Sequence, residues 1–323
     1  MDTGQDGHAA HRPVLLVLRA LGLGDLLVAV PALHALRRAY PHHRLLYAGP
    51  EWLAGALDLV GGYELLPHSG LTGPLPALPD GAEAIDIAVN LHGKGPQSTE
   101  LLRSLGPKIL IAHKGPMGGS PAGPAWVEET NERERWTRLL QWHGIDADPQ
   151  ECALLHPAAA VPFPGATVIH VGAAFPSRLW PAERFAQVAR RLSGSGHQVV
   201  FTGSADERPR AVGICTLAGL PGSAVLAGRL DLQTFAACIA GARLVVSADT
   251  GAAHLASAYA RPSIILFGPV GPERWGPPPG PHRVLTRDRL RRGDPFADTP
   301  DPALLGVTVE EVLRAASELE SEH

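Results

Sequence analysis

One stretch narrows what this chain can fold into more than any other: Ser247-Ala248-Asp249-Thr250-Gly251-Ala252-Ala253-His254-Leu255-Ala256, followed by Pro262-Ser263-Ile264-Ile265-Leu266-Phe267-Gly268-Pro269. It reads as a buried strand, a turn bearing a carboxylate, a hydroxyl and a glycine, a helix opening on that glycine, and a second strand ending in a glycine loop. Such a turn aims unpaired backbone N–H groups and the positive end of a helix at one point, which suits an anion such as a nucleotide diphosphate.

The same alternation runs along the chain. Val14 to Leu18 is a short apolar run fit for a strand buried on both faces, and after Gly22-Leu23-Gly24-Asp25 the residues Leu26, Leu27, Val30, Leu33 and Leu36 recur at helical spacing. Arg44 to Ala48 and Ile85 to Leu91 read as strands, with a helix over Glu100 to Leu105 behind the loop His92-Gly93-Lys94-Gly95-Pro96. Pro157, Pro162 and Pro164 among alanines mark a linker near residue 160. A second series follows, with strands at Thr167 to Val171, Gln198 to Thr202, Arg243 to Ser247 and Ser263 to Phe267. Its helices are expected over Ala182 to Leu192, Asp231 to Ala240, Gly251 to Ala260 and Val309 to Leu319, the last opened by a Thr308-x-x-Glu311 capping box. At 323 residues the chain has room for two cores. The expectation is an α/β protein of two doubly wound, Rossmann-like domains, 1–160 and 161–323, facing across a cleft, with ligands at the strands' carboxyl ends.

Several function classes drop out. A formal charge of −4 supplies no general basic field for nucleic acid. Cys152, Cys215 and Cys238 are too few and too scattered for a disulfide framework or a thiolate zinc site. No H-E-x-x-H or comparable cluster appears among the 15 histidines, so no metal is expected. Residues 1 to 12 are polar and the early apolar runs are cut by Arg19 and Asp25, which fits neither a signal peptide nor a spanning helix. Gly22-x-Gly24 would need a third glycine where Leu27 stands, and Gly93-Lys94 lacks the rest of a phosphate-binding ATPase loop.

Chemistry is left to the loops at strand ends. Asp25 opens a helix, where it serves as a capping carboxylate or as a general base for a substrate hydroxyl. Arg178, shortly before Trp180-Pro181 and a helix, is a solvated charge or a partner for a leaving diphosphate. Asp249 and Thr250 suit sugar hydroxyls and phosphate. His254, one turn into its helix, contacts phosphate or braces the turn.

Taken together, these segments resemble the family 9 glycosyltransferases, the ADP-heptose:lipopolysaccharide heptosyltransferases. Arg19-Ala20-Leu21-Gly22-Leu23-Gly24-Asp25 with Pro31-Ala32-Leu33 is similar to the family's amino-terminal motif. His170-Val171-Gly172-Ala173, Arg178-Leu179-Trp180-Pro181-Ala182-Glu183-Arg184-Phe185, Gly203-Ser204-Ala205-Asp206-Glu207 and the block from Asp249 to Pro269 resemble its carboxyl-terminal half.

The resemblance implies a GT-B fold, with the acceptor on the amino-terminal domain, the nucleotide-sugar donor on the carboxyl-terminal one, and inverting transfer without an obligatory metal or other cofactor. It implies that Asp25 is the base, that Arg178 stands where relatives carry a diphosphate-binding Lys, and that Thr250 and Gly251 meet phosphate. It further implies that Asp249 touches the sugar, that Asp206 or Glu207 meets the ribose, and that His254 is the family histidine. Gly24, His92 and Lys94 fall on the acceptor side. The loops His92 to Gln97 and His113 to Pro124 are expected to hold acceptor specificity. The acceptor is a glycan, a lipid-linked sugar or a small natural product. The terminal helix is allowed to pack back on the first domain. The protein is expected in the cytoplasm, peripheral to the inner face of the membrane at most. Two rival readings keep the same fold: a nucleotide-sugar epimerase, and a nucleotide-sugar-binding protein without turnover.

Overall fold

The computed structural model describes residues 12–79, 84–115 and 121–322. Readings placed on residues 1–11 and on 116–120 of the His113–Pro124 loop lie outside the described residues. The chain forms two compact units: one holds the chain through Gly22, Pro31–Glu128 and Arg133–Pro149, and the other holds Leu23–Val30, Glu129–Glu132 and everything from Gln150 onward.

The first unit is built on a parallel sheet of β1 (Val14–Leu18), β2 (Arg44–Gly49), β3 (Glu64–Pro67), β4 (Ile85–Asn90) and β5 (Ile109–Ile111), in the order β3-β2-β1-β4-β5. Helices α1 (Leu23–Ala39), α2 (Ala54–Val60), α3 (Gln97–Arg103) and α4 (Glu132–Trp142) connect or follow these strands. β1 is the centre because all five of its side chains are apolar and buried, which only a strand covered on both faces tolerates. Its register against both neighbours, Leu18 opposite Ala48 and opposite Asn90, brings the ends of β1 and β4 together where the strand order reverses.

The second unit repeats the scheme with β6 (Thr167–His170), β7 (Val199–Thr202), β8 (Leu244–Ala248), β9 (Ser263–Leu266) and β10 (His282–Leu285), all parallel in the order β10-β9-β8-β6-β7. Around it lie α5 (Ala182–Gly194), α6 (Arg208–Ala218), α7 (Leu232–Ala240), α8 (Gly251–Ala258) and the short α9 (Pro272–Trp275), α10 (Pro302–Leu305), then α11 (Val309–Ser321). Val168, Ile169, Val245, Val246, Ile264 and Leu266 are buried in its strands. The order reverses between β6 and β8, with His170 opposite Ser247, so the crevice of a doubly wound sheet opens beyond those two strand ends.

α11 packs on α5, β9 and β10 of its own unit. Its opening is the capping box foreseen from Thr308 and Glu311: the Thr308 hydroxyl accepts the Glu311 N–H at 3.3 Å and the Glu311 carboxylate accepts the Thr308 N–H at 2.9 Å. Arg287 pairs with the same carboxylate. The three cysteines are buried and form no disulfide, and among the described residues no helix is long and apolar enough to cross a membrane. Thr308→Ala is expected to lower stability by about 1 kcal/mol, read as an earlier thermal transition.

Candidate functional site

β8 ends at Ala248 in the middle of its sheet, and the chain must turn there before α8 can begin. Asp249 is carried into that turn with its N–H bonded to the Leu266 carbonyl at 3.1 Å and its side chain only 7% exposed. Its oxygens lie 3.8 Å from Arg178 Nη1 and 3.7 Å from His254 Nε2, both beyond hydrogen-bond length. Burial pushes the Asp249 carboxyl up to about 6, the Arg178 guanidinium opposes that rise, and the Asp25 carboxylate adds to it. Asp25 therefore shares the electrostatic neighbourhood of Asp249, from the first turn of α1, whose residues Leu23–Val30 belong to this unit.

Thr250 caps α8. The Ser247 hydroxyl donates to the Ala248 carbonyl at 2.7 Å, so its single proton is spent and the Thr250 hydroxyl donates to Ser247 Oγ at 2.8 Å. Thr250 Oγ1 then accepts the Ala252 N–H at 3.3 Å. The Ala253 and His254 N–H groups both turn back to the Thr250 carbonyl, at 3.1 and 3.4 Å. Among the described residues the Gly251 N–H has no acceptor, and Arg178 Nε is buried without a hydrogen-bond partner. Two uncommitted donors and a helix terminus thus stand beside one buried carboxylate, which is a setting for an anion joined to a polyol.

Space is tight at two glycines here, most of all at Gly251. A Cβ on Gly251 would lie 2.7 Å from Leu23 Cδ2, and one on Gly24 would lie 3.3 Å from His254 Cδ2. Gly24 therefore packs against His254 in the second unit, whereas His92 and Lys94, the other two residues expected on the acceptor side, lie in the first. There His92 Nδ1 accepts the Ala20 N–H at 3.2 Å, and Lys94 pairs at 3.1 Å with Glu128 on the exposed surface. The His254 ring is also flanked by Trp275, with ring centroids 5.9 Å apart.

Asp206 and Glu207 differ in placement. Asp206 is exposed, whereas Glu207 folds back over the ends of β6 and β7: its Oε2 accepts the Ser204 N–H at 2.7 Å, and any Cβ on Gly172 would overlap the carboxylate. His170, half-buried beside it, is pushed down by desolvation while Glu207 pulls the other way.

Sequence reasoning missed Trp275, the Gly172–Glu207 contact and an aromatic cluster in the first unit. In that cluster His113 lies against Trp126 and Trp136, Arg135 covers Trp126 at 4.0 Å, and Arg19 covers Trp136 at 4.8 Å. Trp275 carried a usable signal, since Gly271-Pro272 just past Gly268-Pro269 marks a helix start at a strand end. Among the described residues no three His, Cys, Asp or Glu side chains gather as a metal site.

The raised Asp249 carboxyl fixes a pH dependence. Its folded value of about 6 lies above the unfolded value of about 3.9, so stability is fullest below pH ~4 and is lost as pH rises to ~6. Asp249→Asn is expected to melt later than the wild type at pH 7.5, by at most about 3 kcal/mol, with the difference closing at pH 4. A difference independent of pH would show that the carboxyl is not perturbed.

The chain is similar to known proteins in sequence and in fold. Residues 143–289 match the sequence profile of glycosyltransferase family 9 (heptosyltransferase). The chain is 31% identical over 159 residues to lipopolysaccharide heptosyltransferase 2 of Salmonella typhimurium, covering 47% of this chain and 45% of that one. It is 38% identical over 130 residues to lipopolysaccharide heptosyltransferase 1 of Pseudomonas aeruginosa, covering 40% and 34%. The matched stretches thus span less than half the length of these curated relatives. The described fold resembles that of Escherichia coli ADP-heptose lipopolysaccharide heptosyltransferase II, with a TM-score of 0.75 at 20% identity over 96% of this chain and 100% of that chain. It also resembles E. coli heptosyltransferase WaaC with ADP, with a TM-score of 0.68 at 19% identity over 94% and 99%. At such identities the likeness is one of fold, and the fold is GT-B, two parallel-sheet α/β domains. Residues 143–289, which carry Arg178, Glu207, Asp249, Thr250, Gly251 and His254, are thus the part of the chain that is similar to glycosyltransferase family 9.

Proposed function

We propose that the protein is an inverting glycosyltransferase that moves a sugar, foremost a heptose, from an ADP-type nucleotide-sugar to a hydroxyl of a lipopolysaccharide glycan. The observation that carries this reading is the convergence in one unit of Asp25, buried Asp249, Arg178 and the open Gly251 N–H. The names of the curated relatives, and the ADP in one solved relative of the same fold, support the donor and acceptor classes.

In this reaction the acceptor oxygen attacks the anomeric carbon while Asp25 takes its proton, and the bond from that carbon to the diphosphate breaks on the opposite face. A single displacement inverts the centre. The leaving diphosphate gathers negative charge, which Arg178 and the amino terminus of α8 stabilise where it develops. The planar fork of Arg178 can face Asp249 with Nη1 and still offer Nε to phosphate. Asp249 holds a sugar hydroxyl, as acceptor when ionised and as donor when protonated. No step calls on a metal. Glu207, the inward carboxylate, meets the ribose, while exposed Asp206 does not.

Asp25→Asn is expected to cut transfer by about a hundredfold or more while ADP binding stays at the wild-type level. Equal turnover of the two proteins removes Asp25 as the base. In calorimetric titrations ADP is expected to bind more tightly than UDP or GDP, and Glu207→Gln to weaken ADP by about tenfold while Asp206→Asn leaves it unchanged. Incubation with ADP-heptose and no acceptor is expected to yield no isomerised sugar, whereas an epimerase would accumulate one.

A further inference from the structure

Trp275 stands where a one-turn helix meets the ring of His254. Past β9 the chain runs through α9 before β10, and that turn is closed by its own backbone: the Arg274 and Trp275 N–H groups donate to the Gly271 carbonyl at 3.1 and 3.4 Å, and the Gly276 N–H donates to the Pro272 carbonyl at 2.6 Å. A side chain at Gly276 has no room, since a Cβ there would lie 2.3 Å from the Pro272 carbonyl oxygen. The turn sets the half-buried Trp275 on an apolar patch, where it packs with Val284 against buried Ala253, Ile265 and Phe267.

Ala253 precedes His254 in α8, and the indole reaches that imidazole as well, with ring centroids 5.9 Å apart and planes inclined at 56°, within the range of aromatic pair contacts. Gly24 crowds the same ring at Cδ2. The imidazole is 10% exposed, and its Nε2 stands 3.7 Å from Asp249 Oδ1. A half-turn about its Cβ–Cγ bond would put Cε1 where Nε2 now stands, a carbon in place of a polar nitrogen, so what His254 offers beside Asp249 depends on the ring being held. Resting on the reading given under Proposed function, in which Asp249 meets a sugar hydroxyl, we propose that Trp275 is a positioning residue for the donor sugar: it keeps the His254 imidazole with Nε2 toward Asp249, so that a ring nitrogen and a carboxylate oxygen face the same hydroxyl. A hydroxyl is donor and acceptor at once and suits such a pair, whereas a diphosphate offers acceptors only. Trp275 therefore bears on the sugar and not on the nucleotide.

The test uses the full chain and its variants, with calorimetric titration of ADP-heptose and of ADP, and with the ring-nitrogen NMR shifts of His254 recorded without ligand at about pH 8, where an ordinary imidazole is neutral. Trp275→Leu keeps apolar bulk over Ile265 and Phe267. It is expected to bind ADP-heptose about tenfold more weakly with ADP affinity unchanged, while Trp275→Phe stays within about twofold of wild type. The loss is expected to vanish in a His254→Ala background, because a residue that acts only through His254 has nothing left there to act on. In the wild type the His254 nitrogens are expected to report one tautomer, protonated at Nε2, and in Trp275→Leu to move toward the average of the two. Trp275→Met takes the place of Trp275→Leu should the latter fail to fold. A tenfold loss that persists in the His254→Ala background overturns the proposal, as does an equal loss of ADP affinity or a Trp275→Leu protein whose His254 shifts match the wild type. Wild type that binds no ADP-heptose, while the His254 shifts still move in Trp275→Leu, keeps Trp275 as the residue that orients His254 and refutes the donor reading instead.

Discussion

The carboxylate of Asp249 is the constraint around which the second unit's site is arranged. It stands at the end of a central strand, nearly sealed from water, with its two charged or chargeable neighbours just outside hydrogen-bond reach. A lone buried carboxylate without close partners is costly, and part of that cost appears as a carboxyl raised to about 6. Such a group is poised for something to be placed between it and its neighbours. Under the proposed function, a sugar hydroxyl would lie against Asp249 and a phosphate beside Arg178, whose Nε is buried without a hydrogen-bond partner.

The small residues follow from the same crowding. Gly24 and Gly251 sit where two helix openings approach within van der Waals contact, α1 bringing Leu23 onto Gly251 and α8 bringing His254 onto Gly24. Both helices point the positive ends of their dipoles toward the neighbourhood of Asp249. α1 itself carries Pro31 in its interior, and its residues divide between the two units at that proline, whose missing N–H interrupts the helix ladder there. The first two turns of α1 are thus tied by packing to the Asp249 turn of the second unit, whatever their place in the sequence.

What could be read from the residues was what is local. Val14–Leu18 announced a central strand because five apolar residues in a row admit no exposed face, and the Thr308-x-x-Glu311 spacing announced a capping box because both partners lie within one turn. The Asp249-Thr250-Gly251 turn was legible for the same reason. β3, with a charge at one end and Pro67 at the other, and β5, only three residues long, escaped notice since edge strands need little apolar signal. α6 escaped because its apolar residues show no single face and Pro209 sits in its first turn.

Features built by distant residues had no sequence signature at all. Arg19 looked like an interruption of an apolar run, yet its guanidinium is buried, donates to the Leu91 carbonyl and lies over Trp136, while the Tyr47 hydroxyl donates to its own carbonyl at 2.9 Å. Periodicity cannot forecast this, because an arginine is buried only when the fold supplies acceptors for its donors. The Ser177 bonds to Pro295 and Ala297, and the Glu207 carboxylate lodged against Gly172, belong to the same class: each spans elements that meet only after both sheets' helices have packed. A donor-side turn that one strand and one helix can build alone is therefore written in a few consecutive residues, whereas the groups that would choose between acceptors are dispersed along the chain and become a site only in the folded molecule.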